Sequence, residues 1–140
     1  MKGRPITGEE FDRMLAKVPD VVGEAVAESW RHYLRGLWWS GLRLEESLEL
    51  YWDRDDKLLV DLDGRFPMLH IPAELEKGHQ DRLLPIAPQF GELLLATPED
   101  RRSGPVFAPR PMRPEQTQRL GGQQVGRTVG KIGRAAGIKV

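Results

Sequence analysis

The chain has 140 residues, 21 Lys+Arg against 21 Asp+Glu, and no cysteine. That length suits one domain of modest size, and the lack of cysteine excludes a disulfide framework and any thiolate metal site. No apolar run approaches the about 20 residues of a membrane span and no signal-peptide apolar core opens the chain, so a soluble, cytoplasmic protein without a membrane partner is expected.

Thr7-Gly8-Glu9-Glu10 reads as a capping box opening a helix. Phe11, Met14, Leu15 and Val18 fall on one face of it, and Pro19-Asp20 is expected to end it. From Val22 the apolar positions Val26, Trp30, Tyr33 and Leu37 recur at helical spacing, which predicts a second, long helix. The pattern breaks at Ser40-Gly41 and restarts at Leu44 in a short helix running to about Tyr51. Arg43 therefore falls at a helix-to-helix corner, between Trp39, Leu42 and Leu44. A guanidinium is costly to bury alone. It needs a carboxylate, for which Glu45 and Glu46 are at hand, or an anionic ligand, for which phosphate is the natural candidate.

Asp53-Arg54-Asp55-Asp56 reads as a solvated turn, because neither the spacing nor the glycine of a calcium loop follows. Lys57 to Leu62 alternates as a strand, Asp63-Gly64 turns, Met68 to Ile71 forms a second strand, and Arg82 to Ile86 completes the sheet after a loop over Glu74 to Gln80. Pro88 opens another helix, with Phe90, Leu93, Leu94 and Leu95 as core face, and Thr97-Pro98 stops it. Pro109, Pro111 and Pro114 make an extended connection. Val125, Val129, Ile132 and Ala136 then share a helical face, although Gly126, Gly130 and Gly133 each cost about 1 kcal/mol against alanine. The expected fold is α+β, mainly helical with one small three-stranded antiparallel sheet. Its order is helices over 1–52, sheet over 53–87, and helices with the proline-rich connection over 88–140.

Ser40-Gly41-Leu42-Arg43 with Glu46, Leu48, Leu50 and Trp52 resembles the first arginine box of the tyrosine recombinases, the phage-integrase family. Lys77-Gly78-His79-Gln80-Asp81-Arg82 followed by Leu84-Pro85-Ile86 is similar to that family's β-hairpin lysine segment, in the right order and spacing. The likeness extends over nearly the whole chain, from Thr7 to Ala135-Ala136-Gly137-Ile138, which looks like the end of the helix before the His-x-x-Arg motif. That motif and the nucleophilic tyrosine would lie past Val140, which implies a partial catalytic domain unable to cleave DNA by itself. Tyr33 and Tyr51 read as core or rim residues.

The resemblance implies a DNA strand-exchange enzyme working through a 3′-phosphotyrosine intermediate. Arg43 would clamp the scissile phosphate, Lys77 would protonate the departing 5′ oxygen, and Glu46 would support the site. Fixed donors suit the charge that develops on such a phosphate, and removing one typically costs roughly 3 kcal/mol. Two positions depart from the family pattern: Gln80, where a basic residue is frequent, and Arg54, where an acid is common.

Charge distribution bears on partners. Residues 1–100 hold 12 Lys+Arg against 20 Asp+Glu, and residues 101–140 hold 9 against 1, so the two parts carry −8 and +8. The basic part is a footprint for double-stranded DNA or else a solvated surface, and Arg82, Arg127, Lys131 and Arg134 are the DNA-binding candidates. Self-association on DNA is what the family implies. His32, His70 and His79 lie on separate elements, so no metal and no cofactor is assigned. Two rival classes stand beside the enzyme: a relative that only binds DNA, and an interaction domain using Trp38, Trp39 and the last helix.

Overall fold

The computed structural model describes residues 5–72 and 82–138. It falls into two compact units, one of Met1–Leu34 with Pro109–Val140 and one of Arg35–Ala108. Among the described residues no helix is long and apolar enough to cross a membrane.

The first unit opens with α1 (Gly8–Val22). Thr7 Oγ1 accepts the Glu10 N–H at 3.1 Å and Glu10 Oε1 accepts the Thr7 N–H at 2.9 Å, the reciprocal cap that the sequence motif predicts. Phe11, Met14, Val18 and Val22 are buried along one stripe. Pro19 does not end this helix, contrary to the expectation from sequence. A proline within a helix leaves the carbonyl four residues earlier without its usual donor. Here that carbonyl, on Leu15, takes the Arg31 Nε–H at 3.2 Å instead. The helix continues until Gly23, whose φ of +89° is open to glycine at little cost and whose N–H closes on the Pro19 carbonyl at 2.9 Å.

Beyond that glycine the long second helix begins as a single 3₁₀ turn, Glu24–Val26, and continues as α2 (Ala27–Ser40). Trp30 is fully buried, edge-on to Tyr33 with ring centroids 6.2 Å apart. Its indole N–H donates to the Arg110 carbonyl at 2.9 Å, and the Arg110 N–H donates to Ser29 Oγ at 3.0 Å. The proline-rich connection is thus pinned to α2 through one residue's main chain.

α5 (Gly122–Ala135) completes this unit by packing on α1. Val125, Thr128 and Ile132 are its buried residues, and Ala136 and Ile138 follow. Val129 is only half-buried, and Thr128 takes the inward position with its hydroxyl donated to the Gln124 carbonyl at 3.0 Å. Arg13 Nη1 donates to the Ala136 carbonyl at 2.8 Å and closes the carboxy-terminal end. Burial against α1 holds a helix that its glycines alone would not favour.

In the second unit, α3 (Leu44–Leu48) gives way to β1 (Leu50–Tyr51), followed by β2 (Leu58–Asp61), β3 (Met68–Ile71), β4 (Arg82–Pro85) and α4 (Pro88–Leu95). The fold is α+β as expected, but among the described residues the sheet has four strands in the order β1-β2-β3-β4 rather than three. The added strand is β1, which runs parallel to β2, with Leu50 opposite Leu58; the other pairs are antiparallel. Leu50 is fully buried, and that burial ends the short helix earlier than the sequence pattern indicates. On its other side β1 meets Gly104–Val106: the Val106 N–H donates to the Leu50 carbonyl at 2.8 Å and the Trp52 N–H to the Gly104 carbonyl at 3.0 Å. Tyr51 is bridged to Pro105 there.

The inner sheet face presents Leu58, Val60 and Leu69, with Leu84 in register beside Leu69. Phe90 and Leu94 of α4 are buried, whereas Leu95 is 52% exposed, since neighbouring positions on a helix face different ways. The Phe90 and Phe107 rings stack with centroids 6.2 Å apart. The far edge of Phe107 meets α2 at Gly36, where a Cβ would lie only 2.2 Å and 2.4 Å from ring atoms.

Candidate phosphate-binding site

The corner between α2 and α3 is built by its short residues. Gly41 takes a φ of +70°, Ser40 Oγ accepts the Leu42 N–H at 3.1 Å, and the chain turns into extended backbone at Arg43 (φ −68°, ψ 155°). The Arg43 carbonyl then accepts the first bond of α3, from the Ser47 N–H at 2.9 Å. Glu46 Oε1 accepts the backbone N–H of Arg43 at 2.8 Å. The Glu46 carboxylate therefore serves the helix cap.

Arg43 itself is exposed, with Trp39, Leu42 and Leu44 half-buried around the turn. Among the described residues its guanidinium has no ion pair or side-chain hydrogen bond. The contrast with other cations is clear. Arg13 meets Glu9 at 2.8 Å, Arg31 meets Glu28 at 2.9 Å, Arg54 meets Asp56 at 2.6 Å and Lys57 meets Glu49 at 2.8 Å. The Arg54 hydrogen bond holds the Asp56 carboxyl below its ordinary range, and the Glu49 hydrogen bond raises the Lys57 ammonium.

Beside the corner lies a cavity of about 340 Å³, walled by Ser40, Gly41, Leu42 and Glu46 on the helical side and by Leu58, Leu69, Ile71 and Leu84 on the sheet side. Among the described residues its lining is apolar apart from Ser40 and Glu46 and holds no cationic group.

Lys77, the second catalytic candidate, and its loop lie outside the described residues. Arg82 opens β4, and its side chain lies outside the described part as well. Tyr33 is 1% exposed and Tyr51 is half-buried, with the Arg54 guanidinium 5.3 Å from its ring centroid. Trp38 is 38% exposed and Trp39 half-buried. Among the described residues no three imidazole or carboxylate groups converge as metal ligands would.

In the other unit, Arg127 and Lys131 line a groove of about 470 Å³ between α5 and the proline-rich connection. Met112, Arg113, Gln116, Leu120, Gln124 and Thr128 complete it. Arg134 is exposed on α5 and does not line the groove. Sequence reasoning singled out neither Arg113 nor Gln124, because the groove joins segments that no periodicity connects.

A solved structure of similar fold is the crystal structure of XerA recombinase. The likeness has a TM-score of 0.53 at 17% identity and covers 100% of this chain and 46% of that one, so the chain spans less than half the length of that recombinase. No protein-family model matches the chain, and no curated protein matches it in sequence. The likeness is one of fold, shared with part of that recombinase.

Proposed function

We propose that this chain supplies the phosphate-clamping part of a DNA strand-exchange site. Arg43 holds the non-bridging oxygens of the scissile phosphate. As a nucleophilic tyrosine oxygen bonds to phosphorus, the P–O5′ bond breaks, and the departing oxygen takes a proton from the Lys77 ammonium. Glu46 fixes the backbone that carries Arg43. A guanidinium presents two parallel donors to an oxyanion pair and needs no reorganisation as charge builds. Neither Tyr33, which is buried, nor Tyr51, which is built into β1, is assigned as the nucleophile.

One observation carries this reading. At a corner whose sequence resembles the recombinase arginine box, the arginine is exposed and uncommitted among the described residues, while Glu46 Oε1 is taken by the backbone N–H. An unpaired arginine on a recombinase-related fold is what a phosphate clamp requires.

The test has two parts. Binding of labelled duplex DNA by the chain is measured against salt for wild type and Arg43→Ala, and the logarithmic slope should fall by about one for the variant. In a protein carrying this chain together with a nucleophilic tyrosine, Lys77→Ala should cleave poorly and be rescued by sulfur in place of the 5′ oxygen, because a thiolate departs without a proton. An Arg43→Ala protein that binds and cleaves like wild type would remove the assignment.

A further inference from the structure

We propose that the cavity beside the α2–α3 corner binds a small organic ammonium ion, its apolar body against the sheet and its charged end at Glu46. Its lining residues among the described ones all belong to the second compact unit, and the site stands apart from the DNA reading above.

The hollow passes from an apolar floor to a more polar mouth. Leu58, Leu69 and Phe90, which line it, are 8%, 8% and 3% exposed, and Leu84 stands beside Leu69 in register. Gly41, Glu46, Pro85 and Ala87 also line it and are exposed, so they form its opening. At about 340 Å³ the cavity falls in the size range of small-molecule sites, where apolar walls supply contact area and a few polar groups fix orientation.

The two polar side chains on the wall are not equivalent. Ser40 Oγ accepts the Leu42 N–H at 3.1 Å and donates to the Leu37 carbonyl at 3.4 Å, so its hydroxyl is occupied by the corner itself. Glu46 Oε1 accepts the Arg43 N–H at 2.8 Å, whereas its Oε2 has no hydrogen bond or ion pair among the described residues. A carboxylate oxygen accepts and cannot donate, and an ammonium answers it with a charge-assisted bond. A neutral apolar ligand would strip water from that oxygen without replacing it, and an anion would be repelled. The wider field acts in the same direction: residues 35–108 hold 9 Lys+Arg against 14 Asp+Glu, a net −5. Arg43 opposes it at the corner, but Arg43 does not line the cavity.

The experiment is amide NMR of the full chain titrated with three probes of similar shape: phenethylammonium, phenethyl alcohol and phenylacetate. Wild type, Glu46→Gln and Leu84→Ala are compared, with circular dichroism as a folding control. Phenethylammonium should shift the Leu42, Leu69 and Leu84 signals saturably at millimolar concentration. Phenethyl alcohol should bind roughly tenfold more weakly, the order of one charge-assisted hydrogen bond, and phenylacetate should not bind. Glu46→Gln keeps an amide oxygen for the Arg43 N–H and should bind the ammonium ion no better than the alcohol. Leu84→Ala should weaken both. Equal affinity of wild type for ammonium and alcohol would overturn the role of Glu46, as would unchanged ammonium binding in Glu46→Gln. Shifts confined to other residues, or none with any probe, would overturn the site. The comparison of the three probes uses wild type alone, so it decides the matter even where a variant fails to fold.

Discussion

The Glu46 carboxylate takes the backbone N–H of Arg43 at 2.8 Å and leaves that residue's side chain open to solvent. The two functions of Arg43, opening α3 and carrying charge, are therefore separable. Arg43→Ala keeps the backbone donor and should alter stability by less than about 0.5 kcal/mol, as exposed substitutions do. Glu46→Ala removes the acceptor and should cost about 1 kcal/mol. Urea unfolding of the two variants checks the order; a larger loss for Arg43→Ala would mean that its side chain holds the corner together.

Gly36 and Phe107 offer a reversal of the usual helix rule. Glycine to alanine inside a helix ordinarily gains about 1 kcal/mol. Here the new methyl would stand 2.2 Å from a buried ring carbon, and overpacking of this kind costs about 1–3 kcal/mol. Gly36→Ala should therefore lower stability by about 1–2 kcal/mol in urea unfolding. Phe107→Leu, damaging alone, should cost less in the Gly36→Ala background than in wild type.

Pro19 and Arg31 are coupled through the carbonyl of Leu15. Pro19→Ala restores a main-chain donor to that carbonyl and should stabilise the protein. Arg31→Ala should then be milder in the Pro19→Ala background, with a coupling energy of at least about 0.5 kcal/mol in a double-mutant cycle. Strict additivity would show that Arg31 acts independently of Pro19.

The Arg54–Asp56 pair predicts a pH response. The Arg54 hydrogen bond depresses the Asp56 carboxyl, so the pair stabilises the fold above the ordinary aspartate range and loses that contribution as pH falls through the depressed value. Both groups are exposed, so the effect on stability is small and the titration itself is the readout. Carboxyl NMR should find the Asp56 midpoint low in wild type and ordinary in Arg54→Gln. For Lys57 the sign is opposite: its hydrogen bond to Glu49 raises it, and the contribution disappears as pH climbs through the raised value.

Local chemistry was legible in the sequence wherever partners lie within a turn of each other. The Thr7–Glu10 cap, the corner at Ser40-Gly41 and the strand over Met68–Ile71 each follow from a few adjacent residues. Reading failed where a distant group intervened. Pro19 looks like a stop until Arg31 is brought to the Leu15 carbonyl. A two-residue parallel strand at Leu50–Tyr51 has no periodicity to detect, since its register is set by Leu58 and its far side by Val106. A fold like that of a recombinase was expected from two motifs, and the corner at Arg43 follows from the break in the helical pattern at Ser40-Gly41. The basic groove was only half foreseen, because Arg113 meets α5 through tertiary folding alone.

The segment bridged to Tyr51 has a consequence for association between molecules. Sheets polymerise when an outer strand offers a neighbour its unused N–H and C=O groups. Next to β1 that row is already occupied, and the residue at the centre of the occupying segment, Pro105, has no N–H to pass on. Recruitment of another chain by strand addition is blocked along this flank, which guards the protein against fibrillar growth from that side.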